Sequence, residues 1–410
     1  MKKTLIVIFI GILCFSMFRV LVQSTSTVDW WPTFHHDATL AGVSTSAVPI
    51  TNHTQWTYTT SGPVYSSPAV LDGILYIGST DDNVYALNAT TGSSIWTDTT
   101  GGSVLSSPAV ANGLVFVGSD DYKVYALDAL TGALAWNYTT GGPVESSPVV
   151  SGGVVYVGSV DGIYAFNENT GKEIWRYPTQ GGIYSSPAVV DGVVYVGSDD
   201  YSMYVLNATT GAYIWNYTTG SWVDSSPAVA GGFVYLSSED GRIYALNAST
   251  HALVWKYSTG LEVESSPAVA NGVVYVGSDD DNVYALNATT GAYLWIFGTY
   301  GAVYSSPAVA GGMVFVGSEE DTIYAINAST GAYVWSYTTG DPIWSSPAVA
   351  NGIVYVGSTD DSVYAFGPST TSTPLLSTIE GYVIIGAIII IIIAVVFLVL
   401  SRIGGRKGPP

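Results

Sequence analysis

The sequence predicts an all-β protein, an eight-bladed β-propeller of four-stranded blades, and three observations predict it. Ser-Ser-Pro recurs with its first serine at Ser66, Ser106, Ser146, Ser185, Ser225, Ser265, Ser305 and Ser345, at intervals of 40 residues broken by a single 39. A fixed period of that length marks a repeat architecture. Within each unit lie runs such as VVYVGS at 273–278 and VYAL at 283–286, β-branched and aromatic and bounded by Gly, Asn and Asp. These are short strands separated by turns. No part of the unit carries the spacing of an amphipathic helix. Four short strands in about 40 residues describe a propeller blade.

The chain opens with Lys2, Lys3 and the apolar run Leu5 to Phe18, so residues 1–23 are expected to be a signal peptide or signal anchor. Arg19 interrupts the run and no A-x-A cleavage site follows. Cys14 is the only cysteine, and Leu13 stands where a lipobox needs a small residue. The exported part therefore has no disulfide, no iron–sulfur ligands and no C-x-x-C-H haem site. Residues 24–52 form a strap ahead of the blades and contain DWWPTFHHDATLAG at 29–42. His35, His36 and Asp37 are candidate metal ligands, but neighbours on an extended strand point to opposite faces, which favours a structural role.

The eighth repeat stops at Ala365-Phe366-Gly367, before any fourth strand. The segment 53–60 contains Trp56 in a WTYTT run like WNYTT at 136–140. It is expected to complete the eighth blade, so the propeller spans 53–367 and leaves no open edges. Residues 368–380 read as a Ser/Thr/Pro linker. Residues 381–400 are expected to be a transmembrane helix, since Tyr382 to Leu400 carry no charge. The basic tail 401–410, with Arg402, Arg406 and Lys407, stays in the cytoplasm. The expected protein is a single-pass cell-membrane protein whose propeller is extracellular.

Charge excludes one class of function. All 31 acids but only five of the 11 basic residues lie between the two ends, a formal charge of −26 for that part. Nucleic-acid binding needs clustered Lys and Arg and is not expected. Over half of the acids fall in the turns joining second to third strands, which places them on one face of the ring. Asp81, Asp82, Asp120, Asp121, Asp199, Asp200, Asp279, Asp280, Glu319, Glu320, Asp360 and Asp361 are candidates for Ca²⁺, as oxygen ligands suit it. None of the turns has EF-hand spacing, and Asp also suits tight hairpins.

One position near the channel varies while its neighbours do not. The residue before Ser-Ser-Pro is Tyr65, Leu105, Glu145, Tyr184, Asp224, Glu264, Tyr304 or Trp344. Tyr65, Glu145, Tyr184, Asp224, Glu264, Tyr304 and Trp344 are candidate ligand-binding residues at the mouth, where aromatic faces stack on a sugar ring and carboxylates take its hydroxyls. They also suit a simple channel plug. Glu145 and Glu264 lie on the third and sixth blades, across the channel, which argues against paired-carboxylate catalysis.

Ala86-x-Asn88-x-x-Thr91-Gly92-x-x-x-Trp96 returns at 126–136, 165–175, 205–215, 245–255, 285–295 and 325–335. It resembles the tryptophan-docking motif of PQQ-type quinoprotein propellers, with Asn mostly replacing Asp, Val205 replacing Ala and His251 replacing Gly. The resemblance implies eight blades and docking roles for Trp56, Trp96, Trp136, Trp175, Trp215, Trp255, Trp295 and Trp335, each expected to lie against the Ala and Gly of its own motif. Quinoprotein dehydrogenases also carry long insertions, a vicinal Cys pair and a Ca²⁺ site, and the first two are missing here. The similar propeller lipoprotein of the bacterial outer-membrane assembly machinery is a scaffold without catalysis. Those departures favour a non-catalytic binding, adhesion or envelope-scaffold module with a protein or glycan partner and no cofactor. The alternative is a PQQ- or metal-dependent oxidoreductase acting on sugars or alcohols.

N-x-S/T triplets stand at Asn52, Asn88, Asn137, Asn207, Asn216, Asn247, Asn287 and Asn327. Five of them are the motif Asn, where Asp would serve the turn equally well, so glycosylation is expected.

Overall fold

The computed structural model describes residues 29–368; the leader, most of the linker, the expected membrane helix and the basic tail lie outside the described residues. Eight sheets follow one another around a ring. The first blade runs Ala69–Leu71, Ile74–Gly78, Asn83–Asn88 and Ser94–Thr99, from inner to outer strand. The pattern repeats to the eighth blade, which has Ala348–Ala350, Ile353–Ser358 and Ser362–Phe366 from the C-terminal end. Its outer strand is Thr54–Thr59, antiparallel to Ser362–Phe366 with Trp56 opposite Ala365. Trp96 stands opposite Ala86 in the first blade, so the borrowed strand keeps the register of the others.

Local chemistry sets each hairpin. Asp72-Gly73 and Asn112-Gly113 join first to second strands with positive φ at both residues, the requirement of the tight turn whose twist matches its flanking strands. The second and third strands are buried on both faces and read as continuous apolar runs, whereas outer strands alternate. The second strand ends on Gly78, where a β-carbon would lie 2.4 Å from Val104 of the next blade. Glycine there lets neighbouring sheets close.

Ser-Ser-Pro joins the blades. The amide of Ser67 donates to the hydroxyl of Ser107 at 2.9 Å, that of Ser107 to Ser147, and so on, until Ser346 donates to Ser67 at 2.9 Å. The circle is unbroken through all eight blades. The first serine of each triplet accepts from the second strand of its own blade, as Ser66 does from Gly78 at 3.0 Å. At the fifth blade Ser237 replaces that glycine, and its hydroxyl donates to the Ser265 carbonyl at 2.6 Å.

The strap runs inside the ring. Trp31 bridges to Val70, and the amides of Val110, Val189, Val229, Val269 and Val309 donate to the carbonyls of Pro32, Ala38, Thr39, Ala41 and Gly42. Thr33 reaches the Pro148 carbonyl of the third blade, and Val43–Ser44 pairs in parallel with Val309 and Ala310 of the seventh. Six inner strands, whose free edges line the channel, thus find backbone partners in one pass of the chain, which also touches the entry to a seventh at Pro148. Asp29 then ties the pass to itself by accepting from Ser44, Thr45 and His36.

The indoles act between blades, which corrects the expectation that each lies on its own motif. A β-carbon on Gly92 (φ +71°) would meet Trp56, one on Gly132 would meet Trp96, and one on Gly291 would meet Trp255. Each of these indoles thus crosses to the motif glycine of the following blade, and its N–H donates to a carbonyl beside it, as Trp96 does to Ala129 at 2.9 Å. The own-motif expectation failed because a strand's side chains point out of its sheet, toward the neighbouring sheet. Trp335 donates to Pro49, since the N-terminal segment supplies that part of the eighth blade. At the fifth blade His251 occupies the glycine position at φ +60°, and Trp215 stacks on its imidazole at 4.9 Å.

These contacts rank the tryptophans. Trp96→Ala is expected to cost about 3–5 kcal/mol. Trp215→Ala, removing a half-buried indole, is expected to cost clearly less. Denaturant unfolding of the two variants checks the order, and equal losses would contradict it.

Candidate functional site

The turns between second and third strands and the loops into the inner strands meet on one face, and there the channel opens. Each turn carries two kinds of position. The inner-facing position before the latch holds Asp120, Asp199, Glu239, Asp279 and Glu319 in blades two and four to seven, with Thr80, Val160 and Thr359 in the others. The position after it holds Asp81, Asp121, Asp161, Asp200, Asp240, Asp280, Glu320 and Asp360. The carboxylate of that second group accepts from the Tyr hydroxyl of the third strand, as Asp81 does from Tyr85 at 2.5 Å. Many also accept a backbone amide from the incoming loop, as Asp81 does from Ser61 at 2.8 Å and Asp360 from Gly340 at 2.8 Å. These are latches holding each hairpin to the loop beside it.

The twelve Ca²⁺ candidates are therefore not one set. Asp81, Asp121, Asp200, Asp280, Glu320 and Asp360 are committed to tyrosine. Asp82 and Asp361 hold the positive-φ position of their turns, and their carbonyls take the amides of Thr100 and Thr60. Asp120, Asp199, Asp279 and Glu319 face the mouth. Among the described residues no three His, Cys, Asp or Glu side chains are gathered as a metal would need.

The seven variable residues share the mouth and divide it. Trp344 touches Tyr65 at 5.4 Å and Tyr304 at 5.0 Å between ring centres, giving an aromatic arc on blades seven, eight and one. Trp344 is 42% and Tyr184 37% exposed. The other arc is acidic. Burial and the neighbouring Asp120 and Asp199 raise Glu145. Burial, a shared hydrogen bond and the charge of Asp199 raise Asp224 far above the carboxylate range. Burial and Glu264 push Glu239 up to about 7. Burial and Asp279 do the same to Glu264, and burial and Glu262 to Asp279, each to about 7. Glu145 and Glu264 answer to different neighbours, so they do not form a catalytic pair.

Burial is the leading cause and the neighbouring carboxylates add to it, with no counter-charge among the described residues to offset them. Lys123 is held by Asp121 at 2.8 Å and Arg242 by Asp240 at 3.2 Å. Beyond burial, the charged groups that shift the mouth carboxyls are other acids, so protonation is the way open to them to shed repulsion. Sequence reasoning found the variable residues and missed Asp120, Asp199, Glu239, Asp279 and Glu319 as their partners. Nothing in a linear pattern separates a mouth acid from a latch acid one residue away.

The strap is the other feature the sequence hid. It fills the channel, so the mouth side chains do not plug it. His36 bonds Asp29 at 3.0 Å with Asp37 on its other side, while His35 is fully buried and stacked on Phe34 at 4.5 Å. Burial lowers His35 to about 4. The pair points apart, as expected of neighbours, although both residues sit at positive φ in a turn, not on an extended strand.

Pyrroloquinoline quinone is a tricarboxylate, and this site does not fit it. Its charges would meet an acidic arc that no cation among the described residues offsets, and the strap's backbone occupies the channel behind that arc.

The motif asparagines act as turn acceptors. Asn88 Oδ1 takes the amides of Thr90 and Thr91, and Asp128 does the same for Leu130 and Thr131. Asn207, Asn247, Asn287 and Asn327 repeat it on the face opposite the acids. Asn137 and Asn216 lie on outer strands, and the Asn52 amide donates to Ser336 at 2.8 Å.

A family model described as outer membrane protein assembly factor BamB matches residues 42–147, 139–224, 218–306 and 297–373. Among solved structures the chain is similar to BamB from Moraxella catarrhalis, at 21% identity over 77% of this chain and 99% of that one, with a TM-score of 0.68. A europium-containing methanol dehydrogenase is similar at 15% identity, 83% and 98% coverage and a TM-score of 0.73. The quinohemoprotein alcohol dehydrogenase from Comamonas testosteroni matches at 17% identity, 82% and 80% coverage and a TM-score of 0.71. At such identities the likeness shows the fold alone. No curated protein matches the chain.

The mouth predicts a pH dependence. Its carboxyls have folded pKa values above their unfolded ones, so the folded state holds more protons and stability falls as pH rises through about 7. His35 acts oppositely, but only between its lowered value of about 4 and the ordinary 6.5. Melts at pH 6.5 and 8.5 are expected to show the higher midpoint at 6.5, with the gap shrinking in Asp224→Asn. A gap unchanged by that substitution would contradict the assignment.

Proposed function

The chain belongs to the family described as outer membrane protein assembly factor BamB, and from that premise we propose that it is a non-catalytic propeller that binds a protein or glycan partner at the cell surface through its acidic and aromatic mouth. The observation that carries this reading is the strap. A channel filled by the chain's own backbone leaves the mouth as the surface with both varied side chains and access. There Trp344 and Tyr184 offer stacking faces, while Glu145, Asp224 and Glu264 offer acceptors to hydroxyls, amides or cations. The uncharged run within 381–400 and the basic residues after it support a single-pass anchor with the propeller outside the cell.

The rival reading is a quinone-dependent oxidoreductase, which the dehydrogenase neighbours make worth testing. Photo-crosslinkers placed at residues 184 and 344 of the full chain in intact cells are expected to capture a partner, while one at residue 95 on the outer rim captures none. Adducts at 95 alone, or dye reduction on adding pyrroloquinoline quinone with an alcohol or sugar, would overturn the reading.

We also propose that the exposed N-x-S/T triplets carry glycans. A face whose turns so often use Asn where Asp128 serves equally supports it. Intact mass is expected to exceed that of the bare chain, and a bare-chain value would end the proposal.

A further inference from the structure

A propeller closed into a ring still has one free strand edge per blade, on the outside. Every outer strand ends its sheet, so one row of its N–H and C=O groups has no strand partner. Proteins protect such edges with charge or polarity at outward positions. Here the outward position after the tryptophan is the telling one. It holds Thr57, Thr97, Asn137, Arg176, Asn216, Lys256, Ile296 and Ser336 in turn around the ring. Seven blades are polar or charged there, and Asn137 and Asn216 begin N-x-T triplets. The sixth blade alone is apolar.

The rest of that strand matches. Tyr293–Gly298 reads YLWIFG, with Tyr293 54%, Leu294 45% and Ile296 41% exposed and Phe297 half-buried, and Tyr300 just beyond is 87% exposed. Phe297 replaces the tyrosine or aspartate that the other outer strands place there. No charged residue lies between Asp281 and Glu319. Exposed Leu253 and Val254 on the fifth blade and Tyr333 on the seventh flank it.

We propose that Tyr293–Gly298 pairs edge to edge with the same strand of a second copy of this chain, antiparallel about a two-fold axis. Two features select a second copy as occupant. An antiparallel strand edge is self-complementary, because a two-fold rotation sets each donor opposite an acceptor and brings the same apolar side chains together. Charge argues the same way. A cationic partner would be drawn to the acids, whereas two chains whose parts between the basic ends each carry −26 can meet only where side chains are uncharged and burial outweighs repulsion. This interface is on the outer rim, away from the mouth, and stands or falls independently of what the mouth binds.

The test uses the full chain in detergent, with sedimentation giving the protein mass across concentration. Wild type is expected to dimerise. Ile296→Lys is expected to weaken dimerisation at least tenfold with an unchanged melting midpoint, and Ile296→Asn, which installs the side chain of blades two and four, to weaken it as well. Ile95→Lys, at an exposed apolar position of the first blade, is expected to leave the dimer intact. A wild type that stays monomeric to about 100 µM, a dimer that survives both substitutions at 296, or one lost equally with Ile95→Lys would overturn the proposal.

Discussion

A circle of eight hydrogen bonds, each from the amide of a second serine to the hydroxyl of its counterpart in the next blade, links every blade to the next. A circle has no end at which to fray, so every blade is held by two neighbours and none is terminal. Every other contact between blades repeats outward from that circle. The Gly78 position lets sheets approach, the indoles of the outer strands bridge adjacent blades, and tyrosine pairs such as Tyr58 and Tyr85 (5.6 Å between rings) pack between them as well. Departures stay local. Ser237 for glycine and His251 for glycine both fall in the fifth blade, and each is accommodated by one altered contact.

A ring so closed leaves two backbone edges per blade to be dealt with, one inside and one outside. The strap answers the inner one by spending the fourteen residues from Trp31 to Ser44, two per blade reached, along the free edges of the inner strands. Leaving those amides unpaired in a narrow channel would cost about as much as a lost hydrogen bond each. Side-chain chemistry manages the outer edge, position by position, in seven blades of eight. The propeller thus has a backbone-filled interior and a rim that is protected except along one strand.

Side-chain variety concentrates where the repeat is broken. Residues that keep the ring, the serines, glycines, tryptophans and latch acids, are nearly the same in every blade. The residue before Ser-Ser-Pro and the turn acid facing it differ from blade to blade, giving an aromatic arc on blades seven, eight and one and an acidic arc in which Tyr184 stands among the carboxyls. Burial and neighbouring acids push the carboxyls of Glu239, Glu264 and Asp279 up to about 7, with no cation among the described residues to offset them. The mouth thus sets acids of raised pKa beside exposed rings, a surface suited to recognition and poorly suited to binding a polyanion.

The ring of eight blades and the donor of the last strand were legible in the residues, because a period of 40, a missing final tryptophan and a spare one at Trp56 are local facts about the chain. Mouth residues could be found as variation within a constant frame. Three things could not be read: that each indole rests on the glycine of the following blade, that the strap lies within the channel, and which acid of a turn is a latch and which faces the mouth. All three depend on what a side chain or edge meets across a gap between sheets. Periodicity specifies the content of each unit, but contacts between units exist only once the ring has closed.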